Sequence, residues 1–157
     1  MKKPGLFGFL KACLTPAPPP PPEDWFTPRA QRVLEISADA GATPTIKDVA
    51  TALIDFKDGV HYLVLQRCKV DFPSLRAAVD ADQTATSVND ALIIAFEECR
   101  NLAHTWLGTE HLLLATVRFM PAVASFLEKE GLDLETLRAE ILRELDPNFQ
   151  TDDNAPD

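Results

Sequence analysis

Cysteine is scarce in this sequence, and its positions argue against cross-linking. The 157 residues include three cysteines, Cys13, Cys68 and Cys99, which are far apart, odd in number and form no Cys-x-x-Cys pair. This pattern argues against a disulfide framework and offers no zinc-ligand spacing. It favours a reducing compartment, so we expect the protein in the cytoplasm.

Long apolar runs are also missing. No stretch approaches the ~18 apolar residues of a membrane span. The apolar part of the N-terminus, residues 6–10, is shorter than the roughly 7–15 residues of a signal peptide. Lys11 stands where a lipoprotein cleavage box has a small neutral residue. We therefore expect neither export nor membrane contact.

Basic residues are in the minority. Lysine and arginine total 15 against 24 aspartates and glutamates, which gives a formal net charge of −9. A nucleic-acid partner requires a basic surface that neutralises phosphates. No basic stripe with interleaved aromatic residues is present, so we expect no nucleic-acid partner.

Composition divides the chain into three parts. Residues 1–24 combine an apolar, mildly basic segment with the proline run "TPAPPPPPED", which predicts an extended polyproline II spacer roughly 30 Å long. Residues 147–157 are acidic and poor in apolar residues, so we expect a disordered tail. The remaining residues, 25–146, are long enough to bury a core and are predicted to form one domain.

Between these tails, apolar residues recur at helical spacing in eight short segments. No segment alternates apolar and polar residues as a strand does, so the sequence predicts an all-α fold. Cap-type residues bound the segments, because their side chains satisfy the free N–H groups of a first helical turn. The predicted caps are Thr27, Thr45, Asp71, Ser87, Thr109 and Asp133, with Gly41 and Gly131 closing two helices.

The helices fall into two similar sets. "VLQRCKVDFPSLRAAV" (64–79) aligns without a gap on "FLEKEGLDLETLRAEI" (126–141), and Asp71 recurs 62 positions later as Asp133. Each set alone would expose a broad apolar face. We therefore predict repeats at about 26–80 and 87–145 that close face to face about a pseudo-twofold axis.

The second repeat resembles a known family. "CRNLAHTWLGTEHLLLATV", followed by a Gly-Leu-x-Leu-x-x-Leu-Arg helix, is similar to the second repeat of the Clp N-terminal domain of ClpA- and ClpC-type unfoldases. "FTPRAQRVLEIS" resembles the opening of such a repeat. No Gly-x4-Gly-Lys-Ser/Thr motif is present, so we expect a stand-alone domain without ATPase rings. In the first repeat Lys47 stands where the second has Glu110.

The resemblance implies a site at the Gly-Thr-Glu-His step. In ClpC-type domains its glutamate is implicated in binding arginine-phosphorylated protein, which carries over to Glu110 with Thr109 beside it. Glu110, Thr109, His111 and Trp106 are therefore the candidate ligand-binding residues. A structural alternative remains for each: Glu110 complements the helix dipole, Thr109 is an N-cap, and Trp106 either packs or faces a partner.

The same residues give no sign of catalysis or of a metal. His104 and His111 lack a third ligand at suitable spacing, which favours packed or capping histidines. An enzyme would need Glu110 and both histidines in one pocket, and no nucleophile or glycine-rich loop accompanies them. We expect no catalytic residue, no metal and no cofactor.

The predicted function is a non-catalytic protein-interaction module that acts as an adaptor, decoy or regulator of a Clp protease system. The resemblance implies protein partners: an unfoldase, an adaptor or a client segment, with arginine-phosphorylated protein among the candidates. The alternative is a tethering protein whose apolar segment, Leu6–Leu14, anchors it to a membrane or to a partner. The sequence leaves the oligomeric state open.

Overall fold

Eight α-helices form the part of the protein that the structure, a computed structural model, describes: residues 25–41 and 43–146. In chain order they are α1 (Pro28–Ala38), α2 (Ile46–Asp55), α3 (Val60–Arg67), α4 (Phe72–Ala81), α5 (Val88–Asn101), α6 (Thr109–Phe119), α7 (Pro121–Lys129) and α8 (Leu134–Leu145). Within these residues β-type pairing is limited to two isolated bridges, Phe26 with Leu107 and Thr45 with Ser87. The all-α prediction is confirmed. The predicted spacer and acidic tail lie outside the described residues.

Local capping explains where most helices begin. Asp48 accepts the backbone N–H of Thr45 at 2.8 Å, which is half of the predicted capping box. At four other predicted caps the side chain accepts a backbone N–H from the first turn, and each bond satisfies a donor that the helix itself leaves free. These pairs are Thr27 with Ala30, Asp71 with Ser74, Ser87 with Asp90 and Asp133 with Thr136.

Helix α6 is the central element of the domain. Every residue from Thr109 to Val117 is buried, which is the expected state for a helix that is covered on all sides. It packs against α5, α2 and four more helices drawn from both sets. No single helix among the described residues is long and apolar enough to cross a membrane; α6 and α7 pass that test only as a pair bent by 103°.

Packing between the two sets of helices follows a reciprocal pattern. Helix α2 contacts α6, α3 contacts α8, and α4 contacts α7. Exchanging α1–α4 with α5–α8 leaves these pairings unchanged. The turns after α3 and α7 also match, because Lys69 and Gly131, aligned in the sequence, both adopt left-handed backbone conformations with φ of 61° and 84°. Both patterns support the pseudo-twofold repeat, which stays a prediction.

Gly131 provides a first test of this account. We expect Gly131→Ala to lower the free energy of unfolding by about 1 kcal/mol, because an L side chain is strained in the left-handed region. No atom lies within 4 Å of the position a Cβ would take, so a steric clash adds nothing. Gly41→Ala is the control, since Gly41 has equally open surroundings and no positive φ. Urea denaturation measures the free energy of unfolding of both variants. Equal losses would contradict the left-handed conformation of Gly131.

Candidate functional site

The Gly-Thr-Glu-His step folds tightly around Gly108, the N-cap residue of α6. The Glu110 carboxylate turns back over Gly108, and a Cβ at position 108 would collide with its Oε1 atom. Gly108 is therefore required by the close approach of a side chain and not by its backbone angles, which are extended (φ −110°). The glycine of the motif and the position of the glutamate depend on each other.

Thr109 does not cap α6, so the predicted role as N-cap is wrong. It is the first residue inside the helix, and its side chain is buried. Its hydroxyl accepts the backbone N–H of His61 at 3.4 Å. Gly59 packs so closely on this hydroxyl that a Cβ there would lie 2.8 Å from Oγ1. Thr109 thus joins the start of α6 to the start of α3, a tertiary role that local sequence does not reveal.

His111 supplies the cap that Thr109 does not. Its Nδ1 atom accepts the Gly108 N–H at 2.9 Å, which is the bond that glutamate or glutamine makes at this position of a capping box. Its Nε2 atom lies 2.8 Å from Nδ1 of His104. Because Nδ1 of His111 is an acceptor, we assign the proton of the neutral ring to Nε2, which then donates to His104.

Burial keeps both rings uncharged. Loss of solvent contact, reinforced by the neighbouring His104, lowers the pKa of His111 to about 3. Burial also lowers the pKa of His104. The pair therefore forms a neutral hydrogen-bonded relay beneath the helix start at physiological pH, as expected for packed and capping histidines.

Glu110 is a buried carboxylate without a cation. The residue is only 7% exposed. Burial raises the pKa of its carboxyl group, and a hydrogen bond from its own backbone N–H opposes this rise. Among the described residues no salt bridge involves Glu110. A buried charge is costly unless it is paired. Helix-dipole compensation, the structural alternative for Glu110, does not supply a cationic partner for this carboxylate.

Glu98 is a buried carboxylate of the same domain that is paired with cationic side chains. It is fully buried and accepts bonds from Arg138 at 2.9 and 2.7 Å and from Arg118 at 2.9 Å. Burial alone would raise its pKa, but the two guanidinium groups outweigh that effect and leave the pKa lowered. Both glutamates are buried, although Glu98 is 0% and Glu110 is 7% exposed, and they differ in their partners.

Glu110 opens onto a cleft of about 560 Å³ between the start of α6 and the ends of α5 and α8. Trp106, the second predicted site residue on this cleft, is 55% exposed, so it faces solvent. The predicted residues Thr109 and His111 do not line it. Most of the cleft wall was not predicted from the sequence. These further wall residues are Thr27, Leu102, Ala103, His104, Thr105, Leu142, Leu145 and Asp146.

His104, His111 and Glu110 form a cluster of potential metal ligands, in which Glu110 is the third ligand that the sequence spacing did not indicate. One ligand atom from each of His104, Glu110 and His111 lies within 4.8 Å of the others. However, a metal at Nε2 of His111 would move the proton to Nδ1, against the Gly108 N–H that donates there. Binding would thus break the cap of α6. The arrangement fits a histidine relay better than a ligand set, and the expectation of no metal stays a prediction.

Comparison with known proteins places this geometry in a family context. No protein-family model matches the chain. It is 40% identical over 60 residues to an "ATP-dependent Clp protease ATP-binding subunit ClpA homolog" of Porphyra purpurea, covering 38% of this chain and 7% of that protein. It is 26% identical over 140 residues to the "Chaperone protein ClpB" of Oceanobacillus iheyensis, covering 78% of this chain and 17% of the relative.

The fold agrees with these sequence relatives. The Hsp104 N-terminal domain from Candida albicans superposes with a TM-score of 0.54 and 12% identity, covering 74% of this chain and 89% of that one. The described residues form a Clp N-terminal-like domain. This Clp N-terminal-like domain corresponds to only a small part of the ClpA and ClpB relatives, since the matched segments span 7% and 17% of their lengths.

Proposed function

We propose that this Clp N-terminal-like domain is a non-catalytic protein-binding module whose cleft accepts an arginine side chain of a partner segment. The observation that carries the proposal is the buried Glu110 carboxylate, which has no cationic partner among the described residues. A guanidinium group would supply the missing charge and could bond both carboxylate oxygens.

The cleft wall suits the rest of an arginine side chain. Trp106 presents an exposed indole on which a guanidinium can stack. Leu142 and Leu145 offer apolar contacts for the methylene groups of the stem. The net charge of −9 favours approach of a cationic segment. Together these features support a basic peptide segment over an acidic or wholly apolar one.

A phosphoryl group on the arginine is less well supported. The two groups expected to receive it are not available at the cleft: the Gly108 N–H is bound to His111, and the Thr109 hydroxyl is buried against His61 and does not line the cleft. Lys47, the counterpart of Glu110 in the first repeat, donates to the carbonyls of Asp80 and Asp82 at 2.8 and 3.0 Å. We therefore propose recognition of the guanidinium and leave arginine phosphorylation as an arm of the test.

Geometry favours binding over catalysis. The enzyme alternative needs Glu110 and both histidines in one pocket, but only Glu110 and His104 line the cleft. His111 is fully buried beneath it. Similarity to ClpA and ClpB proteins supports a partner from a Clp system, whether an unfoldase, an adaptor or a client. A role as adaptor, decoy or regulator in the cytoplasm is part of the proposal, and the tethering alternative rests on residues outside those described.

Peptide binding tests the proposal. Full-length protein is titrated calorimetrically with one peptide in three forms, carrying arginine, phosphoarginine or citrulline, the neutral isostere. We expect Glu110→Gln to weaken arginine-peptide binding about tenfold or more, since a charged hydrogen bond contributes about 1.5–3 kcal/mol. Citrulline should bind as weakly to the wild type as arginine does to the variant.

Asp90→Asn is the matched control for charge. Asp90 also lies in the first turn of its helix, α5, but is exposed and away from the cleft. This variant should bind the arginine peptide within about twofold of the wild type, because surface charges contribute little. Equal binding of arginine and citrulline, or wild-type affinity in Glu110→Gln, would contradict the proposal. If the wild type bound the phosphoarginine peptide more tightly than the arginine peptide and Glu110→Gln removed this preference, the proposal would extend to arginine-phosphorylated partners.

A further inference from the structure

A second cleft lies beside the Glu110 cleft and is lined by aromatic groups. It measures about 440 Å³ and is bounded by Trp25, Phe96, Arg100, His104, Thr105 and Trp106. Trp25 and Trp106 are 41% and 55% exposed. They are the only tryptophans in the chain. Two exposed indoles on one surface cleft are unusual for a domain that buries most of its large apolar side chains.

The aromatic groups are held in place. Trp25 stacks on Phe96 with ring centroids 4.9 Å apart, and the exposed Arg100 lies over the same Phe96 ring, 5.6 Å from its centroid. The backbone is fixed as well, because Leu107 donates to the Trp25 carbonyl at 2.8 Å and accepts from Thr27 at 2.9 Å. The cleft is thus a preformed aromatic surface, which is the kind that polyproline II segments recognise.

We propose that this aromatic cleft binds the protein's own proline run, Pro16–Pro22. The run reads "PAPPPPP" and is separated from Trp25 by only Glu23 and Asp24. Three residues of extended chain span at most about 11 Å, so Pro22 cannot be far from the Trp25 indole. Attachment gives the run a high effective concentration at this surface.

Chain direction and charge both favour this occupant. The bridge of Phe26 with Leu107 is parallel, so a run that continued the direction of this bridge would lie along residues 104–106, which line the cleft. Indole N–H groups can donate to the proline carbonyls, which have no N–H partner of their own. Arg100 stands beside the stacked rings, where it can pair with Glu23 or Asp24. Docking also covers Trp106 beside the neighbouring Glu110 cleft, so an arginine peptide that stacks on this indole must displace the prolines from it.

Acrylamide quenching of single-tryptophan variants tests the proposal. Trp106→Phe leaves Trp25 as the reporter, and Trp25→Phe leaves Trp106. In each full-length background, residues 16–22 are replaced by an alternating glycine–serine segment of the same length. We expect the quenching constant to rise roughly twofold for both reporters, because docked prolines cover the indole faces. Deletion of residues 1–14 is the matched control and should leave both constants unchanged.

The other occupants have distinct signatures. If protection of the indoles from quenching decreases when the protein is diluted, a second copy occupies the cleft, which overturns the intrachain proposal. An equal rise on deletion of residues 1–14 identifies the apolar segment as the occupant and overturns it as well. Unchanged quenching after the glycine–serine replacement shows that the run does not cover the indoles, which also overturns it. None of these readouts depends on peptide binding at Glu110.

Discussion

Replacing Glu98 with alanine is expected to lower the free energy of unfolding by about 3 kcal/mol, as for other buried ion pairs that lose one partner. Glu98 is fully buried on α5. It accepts hydrogen bonds from Arg118 on α6 and from Arg138 on α8. Its removal leaves two guanidinium groups without their common acceptor and a gap between three helices. The arginine side chains are 30% and 24% exposed, so partial hydration places the effect at the lower end of the range.

Glu97 provides a control from the neighbouring position. It also pairs with Arg118, but its side chain is 45% exposed. Glu97→Ala should therefore change stability by no more than about 0.5 kcal/mol, as for other surface salt bridges. Urea denaturation followed by far-ultraviolet circular dichroism measures both variants. Similar losses for the two would mean that the three-helix ion cluster does not hold the domain together.

Acid should destabilise the wild type through His111. Burial lowers its pKa to about 3, below the ordinary value of 6.5. Between these values the unfolded chain binds the proton more tightly than the folded protein, so stability falls as the pH falls through this window. At about pH 4.5, two units below the ordinary value, we expect a loss of about 3 kcal/mol from this residue, since one pKa unit is worth about 1.4 kcal/mol.

His111→Gln isolates this effect. Glutamine does not titrate and can accept the Gly108 N–H as the third residue of a capping box, so stability near neutral pH should change little. The buried His61 and the half-buried His104 have lowered pKa values and destabilise in the same direction, whereas the raised pKa of Glu110 opposes them. The difference between the pH profiles of wild type and variant removes these shared contributions. If stability depended on pH in the same way in the wild type and in His111→Gln, the buried neutral pair of His111 and His104 would be contradicted.

The fold was predictable because its signals are local. A cap such as Ser87 or Asp133 reaches a backbone N–H only three residues away, so the sequence contains both partners in one short stretch. The apolar spacing of the helices depends on equally short periods. The prediction of Thr109 as an N-cap was wrong although threonine has the right chemistry for a cap. Only tertiary packing shows that His111 makes the capping bond while Thr109 reaches His61.

The site was predictable only in part. Glu110 and Trp106 were identified through the resemblance, and the structure places both on one cleft. Half of the remaining wall, residues 102–105, directly precedes Trp106, and the rest comes from distant segments. In those distant segments the one sequence signal was Leu145, an apolar residue that continues the spacing of Leu137 and Ile141 beyond the core. The difference between Glu110 and Glu98 was invisible in the sequence. It depends on arginines that approach one carboxylate and not the other.

The pKa of Glu110, measured by carboxyl carbon-13 NMR titration, tests the central claim most directly. We expect a value above the ordinary 4.5 in the free protein, because the carboxylate is buried without a cation. Saturating arginine peptide should lower it, because a bound guanidinium stabilises the ionised form. The citrulline peptide should not. A pKa at or below 4.5 in the free protein, or one that the arginine peptide leaves unchanged, would show that Glu110 is already satisfied and is not a ligand site.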